Sequence, residues 1–455
     1  MSKRIEKDSL GEIAVENSKY WGAQTQRSLE NFVIGHETMP HSLIKAIVAI
    51  KMAAAQANLS FKKLDGNKTN AIVKVCDLIM SNKLNNEFPL KIWQTGSGTQ
   101  TNMNVNEVVA NYANMKILKA KMINPNDHVN MSQSSNDVFP TAIHVAMAAK
   151  INESLLPNAQ KLINALKVLE TKYSKVIKIG RTHLQDATPI TLGQEISGWR
   201  TSLESCLSLV KDSLKYLYEL PLGGTAVGTG LNTPKNFDKK AISNLASIYD
   251  IPFKPMNNKF DGLAFKERIA ASHSMLKVLA TSLYKVANDV RFLASGPRAG
   301  IGELNIPANE PGSSIMPGKV NPTQCEAMMM VCLQVIGNDT TISVAASQGN
   351  FELNTFMPLI AYDALQSIRL LSDAMDSFTK KCVVDITANR EKIQHNLDNS
   401  LMLVTALSPK IGYAKAAEIA KYAHKNGTTL KQAALKLKYV SESEFNKLVD
   451  PKKMI

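Results

Sequence analysis

Residues 263–295 contain neither glycine nor proline over 33 consecutive positions. From Leu276 to Leu293 the apolar residues are spaced alternately three and four positions apart, which is the heptad spacing of helices that pack along their length. At 1.5 Å per residue this segment forms a helix of about 50 Å, and Gly296-Pro297 ends it. Such a helix cannot fold back on itself, so the chain must supply other long helices to pack against it.

Four other segments have the same character: residues 142–169 (interrupted by Pro157), 190–220, 323–347 and 358–382. Residues 323–347 are apolar on nearly all sides, which predicts neighbours all around this helix, supplied in part by other subunits. Strand signals are weak, and residues 177–179 are the clearest candidate. We therefore predict a mainly α fold whose centre is a bundle of long antiparallel helices crossing at about 20°.

The predicted bundle divides the chain into three domains. We expect a mixed, mostly helical domain over residues 1–131, the long-helix bundle over residues 132–390, and a small helical domain over residues 391–455. Hydrophobic residues make up 44% of the chain and charged residues 20%, which excludes wholesale disorder.

Cysteine usage and hydropathy indicate where in the cell the protein is located. The five cysteines are odd in number and form no CxxC pair, which argues against a disulfide scaffold or a zinc finger. The longest wholly apolar run, residues 327–333, is too short to cross a bilayer. Residues 1–8 mix both charges without an apolar core, unlike a signal peptide. We expect a soluble, cytoplasmic protein without membrane contact.

The formal net charge of +14 admits a nucleic-acid partner, a membrane surface or a small anionic ligand. The charge is densest over residues 410–453, where ten lysines face four acidic residues. These lysines are spread through an amphipathic pattern, and aromatic residues are only 6% of the chain, so stacking platforms for nucleic acid are scarce. We favour a solvated lysine-rich surface and predict no nucleic-acid partner.

Two polar segments precede predicted helices and carry more hydroxyl and amide groups than capping requires. In residues 93–107, Ser97, Gly98 and Thr99 suit an anion at a helix start, where backbone N–H groups are unpaired. The asparagines at positions 102, 104 and 106 of the same segment are poor helix formers, which favours a binding role. In residues 130–141 the corresponding candidates are Ser134, Ser135 and Asn136, of which capping needs only one.

Two further segments carry candidate catalytic groups. Residues 180–189 contain Thr182 and His183 in polar company at the predicted head of a helix, and His183 is the best candidate for proton transfer near neutral pH. Residues 312–326 form a glycine-bounded loop, which can act as a lid, ahead of the most apolar helix. A lysine among amide and hydroxyl donors in such a loop can neutralise a carboxylate. The candidates in this loop are Ser313, Ser314, Lys319 and Asn321.

The loop over residues 312–321 also matches a long mixed pattern, G-S-x-x-M-x-x-K-x-N. With the three other segments, which match in the same order, it makes the whole chain resemble the fumarase/aspartase superfamily. Residues 317–326 and the glycine-rich residues 224–232 are most similar to the class II fumarate hydratases within it. Aspartases typically have alanine where this chain has Gly318, and they differ after Pro322.

This resemblance implies a homotetramer in which each active site combines residues from three chains. It implies reversible hydration of fumarate to L-malate, through an aci-carboxylate intermediate and without metal or cofactor. In agreement, no His, Cys and Asp cluster in the sequence has metal-ligand spacing. Two alternatives remain open: an aspartate ammonia-lyase of the same superfamily, and a non-catalytic structural relative.

The resemblance also implies roles for individual residues. From chemistry alone His183 is the expected base, because serine is a poor one. The family pattern instead places the base at Ser313, gives His183 the water-derived group and makes Glu326 its charge partner, with Lys319 and Asn321 stabilising the intermediate. The substrate-binding residues implied by the pattern are Ser97, Gly98, Thr99, Ser134, Ser135, Asn136, Thr182, Ser314, Lys319 and Asn321.

A second, noncatalytic anion site of the family falls on Lys121, Asn124, Pro125, Asn126 and Asp127. Family members often have an arginine and a histidine where this chain has Lys121 and Asn124. Losing a guanidinium fork and an imidazole should weaken carboxylate binding there. His128 lies close by in the sequence but is not assigned the missing role.

Overall fold

The computed structural model describes residues 2–455, and most of them are helical, so the predicted mainly α fold is confirmed. The strands are short and form four two-stranded sheets. In chain order they are β1 (Lys3–Asp8), β2 (Gly11–Glu16), β3 (Ile177–Thr182), β4 (Gln185–Thr191), β5 (Glu219–Leu220), β6 (Lys254–Pro255), β7 (Leu304–Asn305) and β8 (Thr387–Ala388).

The α-helices fall into three groups along the chain. The first are α1 (Ala23–Asn31), α2 (His41–Ser60), α3 (Gly66–Met80), α4 (Thr99–Tyr112), α5 (Ser135–Lys150) and α6 (Leu156–Lys172). The middle group is α7 (Leu192–Leu217), α8 (Phe237–Tyr249), α9 (Lys259–Ala264), α10 (Glu267–Leu293), α11 (Thr323–Ala346) and α12 (Met357–Lys381). The last are α13 (Arg390–Asn399), α14 (Ser408–Ile411), α15 (Tyr413–Asn426), α16 (Leu430–Lys436) and α17 (Glu442–Leu448).

The long helices lie where the heptad spacing places them. Helix α10 ends at Leu293, just before Gly296-Pro297, and α7, α11 and α12 match three of the other predicted segments. The predicted interruption at Pro157 takes the form of the π-helical turn Ile151–Leu155, which joins α5 to α6 just before this proline. Proline has no N–H to donate to the preceding turn, so regular α-helical bonding is broken there.

The chain forms two compact units, each built from separate stretches of sequence. The first contains residues 2–157, 207–280 and 332–372, and the second contains residues 158–206, 281–331 and 373–455. The boundaries fall inside α6, α7, α10, α11 and α12, so the long helices supply residues to both units. The division at residues 131 and 390 stays a prediction.

In the first unit, α2 is the central element and packs against α3, α4, α5 and α8. Helices α2 and α11 have the length and hydropathy of a membrane span, but 78% of the relevant window of α2 is buried inside the protein. For α11 the buried share is 39%, because one side of this helix is exposed in the single chain. The high hydropathy of α2 is therefore that of a core helix.

A buried polar cluster in the first unit ties α10, α11 and α12 together. His273 Nδ1 lies 2.9 Å from Asp339 Oδ1, and His273 Nε2 lies 2.8 Å from Ser367 Oγ. All three side chains are buried, and Lys277 from α10 also contacts Asp339. Apolar heptads alone tolerate sliding by a turn, whereas these directional bonds are made at a single helix register. The cluster is structural, since no ligand can reach it.

In the second unit, the C-terminal helices enclose a hydrophobic core of their own, which includes Leu407, Ile419 and Phe445. Ile179 from β3 is part of this core, so the β3–β4 hairpin is fixed to the C-terminal helices. Residues 177–179 are the predicted strand, now extended into a hairpin. The β1–β2 hairpin at the N-terminus is not predicted by the sequence analysis.

We predict that Asp339→Asn lowers the free energy of unfolding by about 3–5 kcal/mol, because it leaves His273 and Lys277 without their carboxylate. Asp373→Asn on the exposed side of α12 is the matched control and should change stability by less than about 0.5 kcal/mol. Denaturant titration of both variants measures the difference. Equal stability of the two would contradict a register role for the cluster.

Candidate active site

The starts of α4 and α5 lie against each other in the first unit. Gly98 precedes α4 with a φ of 71°, and a Cβ atom at this position would lie 2.1 Å from Phe139 Cδ2 in the first turns of α5. Only glycine allows this backbone conformation and this close approach. The contact brings the predicted residues of the first two polar segments to one place.

Hydroxyl groups line both helix starts. Ser97 Oγ and Thr99 Oγ1 are 2.9 Å apart, and Ser134 Oγ accepts a hydrogen bond of 3.2 Å from the N–H of Asn136. Ser135 Oγ accepts a bond of 3.0 Å from Asn102 Nδ2, which links α5 to α4. Two helix N-termini with their positive dipole ends and several hydroxyls at one place suit a carboxylate ligand.

The asparagines of α4 are buried beneath these hydroxyls. Asn102, Asn104 and Asn106 are all buried. The Nδ2 groups of Asn102 and Asn106 both approach Asn130 Oδ1, at 3.2 and 3.3 Å, while Asn104 donates to a backbone carbonyl. In the sequence these asparagines favoured a binding role. In the structure they support the starts of α4 and α5.

Lys51 is a fully buried lysine under the second segment, and it is not among the residues predicted from the sequence. Its Nζ donates hydrogen bonds of 2.9 Å to Asn130 Oδ1 and 3.0 Å to Gln133 Oε1. Burial lowers the pKa of Lys51 to about 7. The available signal was a single charged residue between the apolar residues 46–50 and 52–55 of α2.

Asp137 anchors the same segment from its other end. Its Oδ1 accepts a bond of 2.9 Å from the N–H of Ser134, which completes a capping box at the start of α5. Its Oδ2 accepts bonds of 2.8 and 2.9 Å from the N–H groups of Gly223 and Thr225. Burial raises the pKa of Asp137 to about 6. Ser134 is therefore held in place by a carboxylate that itself has no exposure.

The other two predicted segments lie in the second unit. Thr182 ends β3, and His183 with Leu184 forms the two-residue turn to β4. The expectation that His183 stands at the head of a helix is wrong, because α7 begins only at Leu192. The side chains of Thr182 and His183 are exposed in the single chain. A hairpin tip presents an imidazole farther from the core than a helix start would.

The loop over residues 312–321 is closed on itself. The N–H of Gly312 bonds to the carbonyl of Lys319 at 2.8 Å, and Asn321 Nδ2 donates to the carbonyl of Gly312 at 2.8 Å. Lys319 Nζ lies 2.6 Å from Asn321 Oδ1. Ser313 Oγ accepts bonds of 3.2 and 3.0 Å from the N–H groups of Ile315 and Met316. The loop thus gathers four of the predicted residues, with Ser314 exposed at its outer side.

His183 is not bonded to this loop within one chain. Across residues 2–455 no hydrogen bond or ion pair joins His183 to Ser313, Lys319 or Glu326, and Glu326 is exposed in the first turn of α11. In the same described part of the chain, no group of three or more His, Cys, Asp or Glu side chains could hold a metal ion.

The residues of the predicted second anion site form a separate turn. Asn124 Oδ1 accepts bonds of 2.8 and 3.0 Å from the N–H groups of Asn126 and Asp127, which caps the π-helical turn Pro125–Val129. The N–H of Asn124 donates to His128 Nδ1 at 2.8 Å. Lys121 is exposed nearby in sequence. The side-chain oxygen of Asn124 is already used to cap this turn, so anion binding would have to use other groups, such as the ammonium of Lys121. The second anion site stays a prediction.

Long helices, hydroxyl-lined helix starts and a glycine-serine loop carrying a lysine are features of a helical lyase. In agreement, the family model described as Lyase matches residues 11–337, and the one described as Fumarase C C-terminus matches residues 403–455. The chain belongs to the class II fumarate hydratase family of these lyases.

Three relatives carry this assignment. The chain is 56% identical to the class II fumarate hydratase of Helicobacter pylori, over 100% of this chain and 99% of that protein. It is also 56% identical to the enzyme of the same name from Bacillus anthracis, with the same coverage. The crystal structure of a recombinant class II fumarase from Schistosoma mansoni superposes with a TM-score of 0.96 at 44% identity, covering 100% of this chain and 99% of that one.

We predict that Lys51→Met flattens the pH dependence of stability between pH 7 and about pH 10. The pKa of Lys51 is about 7 in the folded protein and 10.5 ordinarily, so the unfolded chain binds the extra proton across this range. Stability of the wild type therefore rises with pH there, by a few kcal/mol at about 1.4 kcal/mol per pKa unit. The variant has no such proton to bind.

Thermal midpoints at several pH values between 7 and 10 measure this slope. Lys45→Met, on the same helix but half-buried, is the control and should keep the wild-type slope. If Lys51→Met also keeps it, the ammonium of Lys51 stays charged in the folded protein across this pH range and the lowered pKa is contradicted.

Proposed function

We propose that this chain catalyses the reversible hydration of fumarate to L-malate, by trans addition and elimination of water, as in the tricarboxylic acid cycle. The observation that carries the proposal is the similarity over the full length to enzymes named class II fumarate hydratase, at 56% identity. The reaction needs no cofactor in this account. It requires a base, a group that handles the water, and fixed donors for a doubly charged carboxylate.

The central chemical demand is the charge of the intermediate. Removing a proton from the carbon next to a carboxylate yields an aci-carboxylate with an additional negative charge, and catalysis must stabilise that charge where it develops. Lys319 Nζ donates to Asn321 Oδ1 at 2.6 Å in the closed loop, and Asn321 Nδ2 is held by the carbonyl of Gly312, so the ammonium and the second N–H of this amide are fixed as neighbouring donors. An ammonium and an amide fixed before reaction need little reorganisation.

Ser313 is the proposed base. An ordinary serine hydroxyl is a poor base, so its oxygen must be stabilised in ionised form. Two backbone N–H groups, those of Ile315 and Met316, already point at Ser313 Oγ, and Lys319 belongs to the same loop. In the proposal, His183 handles the water-derived group on the other face of the substrate, with Glu326 as its charge partner.

The remaining hydroxyls hold the substrate. In the proposal, the unreacting carboxylate lies at the helix starts of α4 and α5, where backbone N–H groups and serine hydroxyls are concentrated. Thr182 and Ser314 complete the contacts from the hairpin and the loop. The substrate-binding set is Ser97, Gly98, Thr99, Ser134, Ser135, Asn136, Thr182, Ser314, Lys319 and Asn321.

A homotetramer with active sites shared among three chains accounts for two features of the single chain. Met330, Leu333 and Val344 of α11 are 66%, 57% and 58% exposed, an apolar stripe of the kind that marks a protein interface. His183 and Ser313 also share no hydrogen bond within one chain, and in this proposal a second copy supplies one of them to each site. In this proposal the enzyme is cytoplasmic, and neither membrane nor nucleic acid is a partner.

Purified protein should interconvert fumarate and malate in the presence of a chelator, and should release no ammonia from aspartate. The assay separates the hydratase from the ammonia-lyase alternative in one experiment. Ammonia release from aspartate without malate turnover would overturn the proposal, as would the absence of both activities.

We predict that Ser313→Ala lowers kcat at least about a thousandfold with an unchanged thermal midpoint, because it removes the base without removing a buried group. Ser247→Ala, an exposed serine of α8, is the control and should keep wild-type turnover. Steady-state assays in both directions measure the effect. Near-normal turnover of Ser313→Ala would reject this assignment and return His183 to the role of base.

A further inference from the structure

A group of four charged side chains, two of them fully buried and two partly buried, lies beneath the hairpin that carries His183, all of it in the second unit. Lys178 Nζ lies 2.9 Å from Glu195 Oε2 and 3.2 Å from Glu303 Oε2. Arg181 donates two parallel hydrogen bonds to Glu303, of 3.0 and 2.7 Å. The group contains two cations and two carboxylates, so its charge is balanced.

Glu303 is the shared member of this group. Its side chain has no exposure, and Asn396 from α13 donates a further bond of 3.0 Å to its Oε1. Its backbone is fixed as well, since its N–H bonds to the carbonyl of Leu293 and its carbonyl accepts from the N–H of Asn389. Glu303 is therefore a rigid point to which the Arg181 fork is attached.

Arg181 lies in β3, two residues before His183, and the turn that follows is unusual. Thr182 pairs with Gln185, so His183 and Leu184 are the two central residues, with φ values of 56° and 60°. Two-residue hairpin turns with positive φ at both positions strongly favour Asn-Gly or Asp-Gly. A histidine and a leucine there are strained by roughly 1–2 kcal/mol each, and such strain persists only where the surroundings hold it.

We propose that Glu303 and Arg181 are positioning residues for His183: the bidentate bond fixes the end of β3 so that the strained turn presents the imidazole in one orientation. The inference rests on the proposed function, in which His183 handles the water-derived group. Neither Glu303 nor Arg181 belongs to the proposed substrate-binding set. We call the bonded pair of Arg181 and Glu303 the clamp. The clamp holds the strained turn in place.

The first test is Arg181→Lys, which keeps the positive charge but loses the planar fork. Arg200→Lys is the matched control, because Arg200 is also 17% exposed and also bonded to carboxylates, but on α7. Arg181→Lys should lower kcat at least tenfold, whereas Arg200→Lys should stay within twofold of wild type. Wild-type kcat for Arg181→Lys in folded protein would overturn the proposal.

The second test is Leu184→Gly, which relieves the strain and loosens the turn. A positioning role predicts an equal or higher thermal midpoint together with a kcat at least tenfold lower. A merely structural role predicts that activity follows the amount of folded protein, so undiminished kcat in Leu184→Gly would also overturn the proposal. Glu303→Gln should resemble Arg181→Lys in kcat if it folds; the other two variants decide the matter if it does not.

Amide hydrogen exchange over residues 177–191 gives a readout that does not depend on activity. Exchange at the hairpin tip should be at least fivefold faster in Arg181→Lys than in Arg200→Lys, and unchanged exchange would contradict the clamp. Malate turnover by the wild type, measured in the same series, tests the proposed function separately. A wild type without turnover but with the expected exchange difference would thus reject the reaction and keep the clamp.

Discussion

The extra negative charge of the aci-carboxylate is the constraint that organises the proposed enzyme. Water would stabilise this charge weakly and at random, so the protein must offer donors that are already in place. Lys319 and Asn321 are held by bonds within their own loop, and the hydroxyls at the starts of α4 and α5 are held by Lys51, Asp137 and the α4 asparagines beneath them. Much of the buried polar structure serves to fix these donors.

The long helices could be predicted because heptad spacing is a local property of the sequence, and α10 begins and ends close to where its pattern does. The β1–β2 hairpin could not, because β1 carries charged residues on both faces and its one apolar residue, Ile5, is exposed. The turn at His183 and Leu184 could not be predicted either, because two-residue turns of this type usually contain Asn-Gly or Asp-Gly. Tertiary contacts impose its conformation.

The half-buried polar residues of the candidate site stand out in the sequence, whereas the residues that support them do not. The segments that contain Ser97, Ser134 and Ser313 carry more hydroxyl and amide groups than helix capping or a loop requires. A single sequence is therefore enough to pick them out. The partners of Lys51 lie 79 and 82 residues away, and Glu303 is 122 residues from Arg181. No local pattern records such pairings, although a lysine among the apolar residues of α2 is a usable signal.

The central claim is that different chains supply Ser313 and His183 to one site, and mixing two inactive variants tests it most directly. Ser313→Ala and His183→Asn, unfolded together in equal amounts and refolded, should regain about a quarter of wild-type activity in random hybrid oligomers, since that share of sites receives both native residues. Each variant refolded alone should stay inactive. Hybrid oligomers without any regained activity would contradict shared sites and, with them, this account of the enzyme.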